Sequence, residues 1–406
     1  MNRIRLISIL GLLALLVTLI TGCGASNSFD KQIDDIARPY KFDLTGWEFK
    51  NLTGEIGQSF KRVNINNATQ EVIDYFQRAG EIRNTEATIT AIRTGDQSGD
   101  LDQLQQNLDE LRRKNDSITT TIEKLLEKQA RESLSEQGIY SPFYQYVKIK
   151  TGFPPLITYL GKAPNLLIIS PRDRIEKIKD VMLLPDMTEA EMEEIEAKVA
   201  DLGYSGLVEG LGGVATYPSY VSDEFGLHFA IETIVHEWMH QYLAFTPLGF
   251  RYVLDQIGIR QNNDIVTLNE TLADMIGQEM ADIIYKIYVP EAPDENPPPD
   301  DNGFDFTEEM KAIRRAVDDY LAQGQIEQAE QFMEEKRQYL AQNGYYIRKL
   351  NQAYFAFHGA YADSPGSIDP IGEEMSKLRA QSTSLQDFLD KASRITSRDA
   401  LEKSLK

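Results

Sequence analysis

Cysteine is nearly absent from this 406-residue chain: Cys23 is the only one. One cysteine closes no intrachain disulfide and builds no thiolate metal site, so any metal centre must be made of histidine and carboxylates. Histidine is scarce too, with four in the chain. Positive charge is in deficit, with 42 Lys and Arg against 63 Asp and Glu and a formal net charge of −21. By charge alone, nucleic acid and anionic lipid surfaces are disfavoured as partners. Long apolar runs are missing apart from residues 6–20, which follow the basic start Met1-Asn2-Arg3-Ile4-Arg5. That run is short for a membrane span of about 20 residues and has the form of a signal-peptide h-region.

The residues that follow, Ile20-Thr21-Gly22-Cys23, resemble the lipobox of bacterial lipoproteins. The resemblance implies cleavage before Cys23, lipidation of its thiol, and an extracytoplasmic chain lipid-anchored to a bacterial membrane. The alternative is an N-terminal membrane helix followed by a chance cysteine. Residues 1–22 are then a signal peptide, and 23–139 a tether followed by two helices. The first helix runs over about 69–92. A turn at Gly95-Asp96-Gln97-Ser98-Gly99 leads into a second over about 100–135. Leu101, Leu104, Leu108, Leu111, Ile118, Ile122 and Leu125 alternate three and four apart, with Asn115 in the missing position, which is a heptad seam. It suits an antiparallel helical hairpin packed on itself, or self-association through residues 100–135.

From Tyr140 the composition shifts to proline, glycine, aromatic and β-branched residues. Residues 165–170 read as a buried strand and 181–184 as a second. An acidic helix over 188–202 begins at Thr188 with Glu191 in capping-box spacing. Residues 210–221 read as a strand opened by glycines, with Pro218 marking an edge strand or its end; either Gly213, Val214 and Ala215 hold an extended peptide by strand addition, or this is a plain edge strand blunted by proline. Thr246-Pro247-Leu248-Gly249 reads as a turn, followed by a helix over about 266–287. The acidic, proline-rich stretch 290–305 is a linker, and 306–406 a helical subdomain with helices near 307–322, 325–342, 345–361, 369–380 and 384–391.

The chemistry lies in His236-Glu237-Trp238-Met239-His240, an H-E-x-x-H string on an apolar, helix-patterned segment. Residues i and i+4 share a helix face, so both imidazoles reach one ion, with Glu237 beside them as a general base. Leu268-Asn269-Glu270-Thr271-Leu272-Ala273-Asp274 follows on a separate helix. Together the two segments resemble the gluzincin metallopeptidases, the thermolysin-like and aminopeptidase N-like clan, whose pattern is H-E-x-x-H followed by N-E-x-x-x-D. The resemblance covers about residues 228–277. It implies Zn²⁺ held by His236, His240 and Glu270, an open fourth position, Asp274 and Asn269 behind the ligands, and hydrolysis of a peptide or protein substrate. No third histidine follows the motif as in metzincins. The G-x-M-E-N motif of aminopeptidase N-like enzymes is also missing, which leaves endo- against aminopeptidase specificity open.

Ala273, Gly277 and Ala281 form a small-residue stripe that lets the two helices approach. Asn351, Tyr354, His358 and Tyr361, spaced three, four and three, share one face of a downstream helix. Tyr354, His358 and Tyr361 are candidates for stabilising the developing oxyanion, and equally for a core aromatic stripe. His228 reads as a packing residue. The expected architecture is α+β and mostly helical: a zincin-like core over 140–289 with a small sheet, flanked by the helical hairpin and the helical C-terminal subdomain. The alternative function is a non-catalytic lipoprotein that uses the hairpin and fold for binding or envelope assembly.

Overall fold

The computed structural model describes residues 28–48, 68–94, 97–290, 304–362 and 364–406. Cys23, the apolar run before it and most of the acidic proline-rich stretch lie outside the described residues. Helix α1 (Ser28–Ala37) and a 3₁₀ turn precede the hairpin α2 (Ala68–Thr94) and α3 (Leu101–Glu136). A single turn, α4 (Tyr144–Val147), leads into β1 (Thr158–Gly161), β2 (Asn165–Pro171) and β3 (Lys179–Leu183). Helix α5 (Glu189–Asp201), β4 (Tyr204–Gly210), β5 (Gly213–Val214) and β6 (Ser219–Ser222) follow. Next come α6 (Leu227–Leu243), α7 (Pro247–Gln256) and α8 (Asn263–Tyr288). The chain closes with α9 (Phe306–Ala322), α10 (Ile326–Gln342), α11 (Gln352–His358), α12 (Ile371–Ala380), α13 (Leu385–Ala392) and α14 (Arg398–Ser404).

The fold is mostly helical with small sheets. Among the described residues there are two three-stranded sheets rather than one, ordered β3-β2-β4 and β1-β6-β5. The first is antiparallel throughout, with β2 central and wholly buried. In the second, β1 runs parallel to β6 and β5 antiparallel to it. The stretch expected to be one edge strand is therefore divided. Pro218 stands just before the central strand β6, and β5 alone forms the edge. β1 forms the opposite edge, and α3 covers it. Glu127 accepts from Thr158 N–H at 3.0 Å and Glu123 from Leu160 N–H at 2.9 Å. Two glutamates one helical turn apart thus replace the missing neighbouring strand.

The hairpin packs on itself through the upper part of its seam. Asn115 accepts from Arg78 Nε at 2.8 Å and donates to the Tyr75 carbonyl at 3.2 Å, while Leu108 and Leu111 are buried. Below Asn115 the buried face becomes Ile122, Leu126, Ala130 and Leu134, which join the central core with α6 and α8. The expected seam residues Leu101, Leu104, Ile118 and Leu125 are only partly buried.

Helices α6 and α8 are apolar on nearly every face, and that sends them to the middle of the molecule. Buried residues of α12, α13 and α14 complete their core. Helices α9 and α10 pack around Met310, Val317 and Met333 in a separate cluster, which Phe355 of α11 joins. Two helix boundaries differ from expectation for local reasons. Thr246 caps α7 with Pro247 in its first turn, so the supposed turn starts a helix. Asn351 caps α11, accepting from Tyr354 N–H at 2.9 Å and donating to Gly206 O at 2.9 Å, so the segment 345–351 is not helical.

Candidate metal centre

Helices α6 and α8 cross closely at Gly277. A Cβ there would lie 3.1 Å from Glu232 O and 3.4 Å from His236 Cβ. Ala273 and Ala281, on the same helix, are fully buried. This approach brings the side chains of His236 and His240 on α6 against Glu270 on α8.

His236 Nε2 and His240 Nε2 are 3.0 Å apart. Glu270 Oε2 lies 3.3 Å from His240 Nε2 and 3.6 Å from His236 Nε2. A tetrahedral ion with bonds of about 2.05 Å sets its ligand atoms roughly 3.3 Å apart. The three edges scatter about that value, so the donor set fits one small cation. Among the described residues it is the one group of three or more His, Cys, Asp or Glu side chains able to hold a metal ion.

The groups behind the ligands fix which nitrogens face inward. His236 Nδ1 is 2.8 Å from Asp274 Oδ1, and His240 Nδ1 is 2.8 Å from Asn269 Oδ1. Both partners are acceptors, so each Nδ1 carries its hydrogen and each neutral ring turns a bare Nε2 toward the other. Two facing lone pairs at 3.0 Å require a cation, proton or metal, between or beside them. The electrostatics agree. Burial opposes charging His236, but Asp274 and Glu270 outweigh it and hold its pKa well above the usual histidine range. Burial likewise opposes a charged His240, and Glu270 overcomes it. Despite burial, His240 and His236 hold Glu270 well below the ordinary carboxylate range.

Tyr252 of α7 adds a support that the sequence reading missed, because its helix was hidden behind a turn signal. Its hydroxyl donates to Glu270 Oε1 at 2.8 Å, and its ring stacks on His240 at 5.6 Å and 12°. Burial and the Glu270 charge push the Tyr252 pKa up, so it stays a neutral donor. With Oε1 engaged, Glu270 presents Oε2 alone to the inward face.

Glu237 is buried beside the ligands. Burial pushes its carboxyl above the usual range, against the pull of His236 and His240. The edge strand β5 lies directly against it: a Cβ on Gly213 would meet Glu237 Oε1 at 2.7 Å and Thr233 Cγ2 at 2.5 Å. Gln241 Nε2 pins the following loop to α6 by donating to Thr216 O at 2.7 Å and Ser219 Oγ at 2.9 Å. Val214 and Ala215 continue from Gly213 along that edge.

The three downstream candidates separate. The Tyr361 ring stands 6.2 Å from the His236 ring, and its neighbour Ala362 N–H donates to Thr271 Oγ1 at 3.2 Å. Tyr354 packs between the α9–α10 cluster and the β2–β4 sheet, with the His358 ring tilted against it at 4.2 Å. Burial brings the His358 pKa down to about 4, and its Nε2 has no hydrogen-bond partner. No hydrogen bond or ring contact joins Tyr354 or His358 to His236, His240 or Glu270. His228 is engaged elsewhere, with Asp282 at 3.0 Å and Tyr285. Comparison with known proteins finds no matching family model, no matching curated sequence and no matching solved structure.

Proposed function

We propose that this chain is a zinc-dependent hydrolase of peptide bonds, of gluzincin type, held outside the cytoplasm on a bacterial membrane by lipidated Cys23. The observation that carries the reading is the triangle of His236 Nε2, His240 Nε2 and Glu270 Oε2, with each Nδ1 already held by an acceptor and Glu237 beside it. Two nitrogens and one carboxylate oxygen at tetrahedral spacing are the donor set of a catalytic zinc site. When bound, zinc supplies Lewis acidity, lowering the pKa of water toward ~7 and polarising a carbonyl.

The remaining roles belong to the chain's own residues. Asp274 and Asn269 hold the imidazoles in the tautomer that exposes Nε2. Tyr252 holds Glu270 to one inward oxygen. Glu237 takes the proton of the attacking water and delivers it to the leaving amine. Its raised pKa suits that exchange. The edge of β5, with one side paired to β6, offers backbone groups to an extended substrate beside Glu237. Of the downstream donors, Tyr361 is the one whose ring stands beside a ligand, and it takes the oxyanion role.

The test uses the full-length protein, elemental analysis and a peptide library read by product mass. Zinc at one equivalent is expected, with hydrolysis abolished in Glu237→Gln while the metal is retained. Protein that carries no zinc, or Glu237→Gln that still cleaves, refutes the reading. Bound metal without turnover in the unaltered chain favours a non-catalytic binding module instead.

A further inference from the structure

Residues 137–172 contain no aspartate or glutamate, where the chain's average would place between five and six. The same stretch carries Lys148, Lys150, Lys162 and Arg172. In a chain of net charge −21 this is a local reversal of sign along the sequence; Lys162 and Arg172 pair with carboxylates elsewhere, which leaves Lys148 and Lys150 at an exposed apolar tip.

The tip is built by a chain reversal. The single turn α4 ends at Lys148, whose φ of +54° is left-handed and whose N–H donates to Tyr144 O at 2.8 Å. The reversal leaves Tyr146, Val147 and Ile149 exposed by 76%, 56% and 58%. Lys148 and Lys150 flank them, each with its ammonium 5.3 Å above a ring, of Tyr144 and Tyr140 respectively. Phe143, Phe153 and Phe245 interlock beneath, with ring centroids 5.2 to 5.9 Å apart. Three adjacent apolar side chains are therefore held outward on an aromatic base. One carboxylate, Asp390 of α13, feels the Lys148 charge.

We propose that residues 144–151 form a bilayer-docking wedge, with Tyr146, Val147 and Ile149 entering the acyl boundary of a phospholipid surface while Lys148 and Lys150 lie at headgroup phosphates. Lysines with apolar stems and a tyrosine beside aliphatic residues are the composition that a headgroup boundary accepts. Net charge argues against an anionic surface for the molecule as a whole. Charges farther than the ~8 Å Debye length are largely screened, however, so the tip's own sign decides the contact. Among the described residues no helix is long and apolar enough to cross a membrane, and a wedge of this kind needs none. It is independent of the metal centre and adds a second membrane contact to the one expected at Cys23.

The test places nitroxide labels at Tyr146→Cys, Ile149→Cys and, as an aqueous reference, Tyr346→Cys, whose native side chain is 87% exposed. Each is made in the full-length chain with Cys23→Ser, so that one thiol is present. Collision with oxygen and with a water-soluble nickel chelate is measured with and without vesicles of phosphatidylcholine containing phosphatidylglycerol as the minor lipid. Vesicles are expected to raise the oxygen-to-nickel ratio several-fold at positions 146 and 149 and leave 346 unchanged. Adding Lys148→Glu with Lys150→Glu is expected to abolish that rise while metal binding persists. Equal ratios at 146, 149 and 346 on vesicles overturn the proposal. So does shielding of 146 and 149 without lipid, which would assign the tip to a second copy of the chain.

Discussion

Gly213→Ala separates the proposed metal site from the proposed base Glu237, because a methyl group there lies against Glu237. The added Cβ would lie 2.5 Å from Thr233 Cγ2, 2.7 Å from Glu237 Oε1 and 2.9 Å from Tyr220 O. Ordinary contact begins near 3.4 Å, so Glu237 must retreat by about 0.7 Å or β5 must lift from α6 by a similar amount. Overpacking of this kind costs about 1–3 kcal/mol of stability. Misplacing a reacting group by about 1 Å costs on the order of 10²-fold in rate. The proposed metal ligands His236, His240 and Glu270 supply none of the three atoms nearest to that Cβ. Turnover should therefore fall about 10²-fold, with metal affinity measured by chelator competition essentially unchanged. Gly277→Ala is the converse: its Cβ would crowd Glu232 O at 3.1 Å, one turn before His236, and touch His236 Cβ at 3.4 Å, so metal affinity should fall first. If Gly213→Ala keeps full turnover, or if it loses metal as Gly277→Ala does, the placement of Glu237 against β5 is refuted.

Asp274→Asn weakens the acceptor that fixes His236, and metal affinity should drop by about 10–100-fold; an unchanged chelator-competition curve would remove Asp274 from the site. Acid stability should depend on Glu196, which is buried yet held below the usual carboxylate range because Arg348, Val208 N–H and Lys349 outweigh its burial. A depressed folded-state pKa gives stability that is present above the unfolded value near 4.5 and is lost as pH falls through the folded value. Glu196→Gln should therefore cost on the order of 3 kcal/mol at neutral pH. The gap to the unaltered chain should narrow in denaturant titrations as pH falls below the ordinary value of 4.5 and through the lowered folded-state pKa, and a gap independent of pH would refute the assignment.

How much of this was legible depends on how local each cause is. His236, Glu237 and His240 declare themselves by a spacing that one helix enforces, and Asn269, Glu270 and Asp274 by another. Tyr252 is as close to the ligands as any of these. Nothing in its own neighbourhood announces it, because Thr246-Pro247 serves equally as a turn or as a cap with proline in the first turn. Only the packing of α7 on α8 decides between them. Asn351 shows the same ambiguity: its place in a three-four-three spacing suggested a helix face, whereas its side chain starts the helix. The helix also ends at His358, so Tyr361 lies beyond α11 with its ring beside His236 rather than in the Tyr354–His358 pair. The sheets were harder still, since β5 has two residues and β1 owes its outer edge to glutamates some thirty positions earlier. Glu123 and Glu127 lie outside the heptad seam, and no motif marks them. Their carboxylates instead lock α3 to the sheet whose far edge lies against Glu237. The hairpin is thereby a buttress: α3 backs β1, β1 pairs with β6, β6 holds β5, and β5 sets the position of the base.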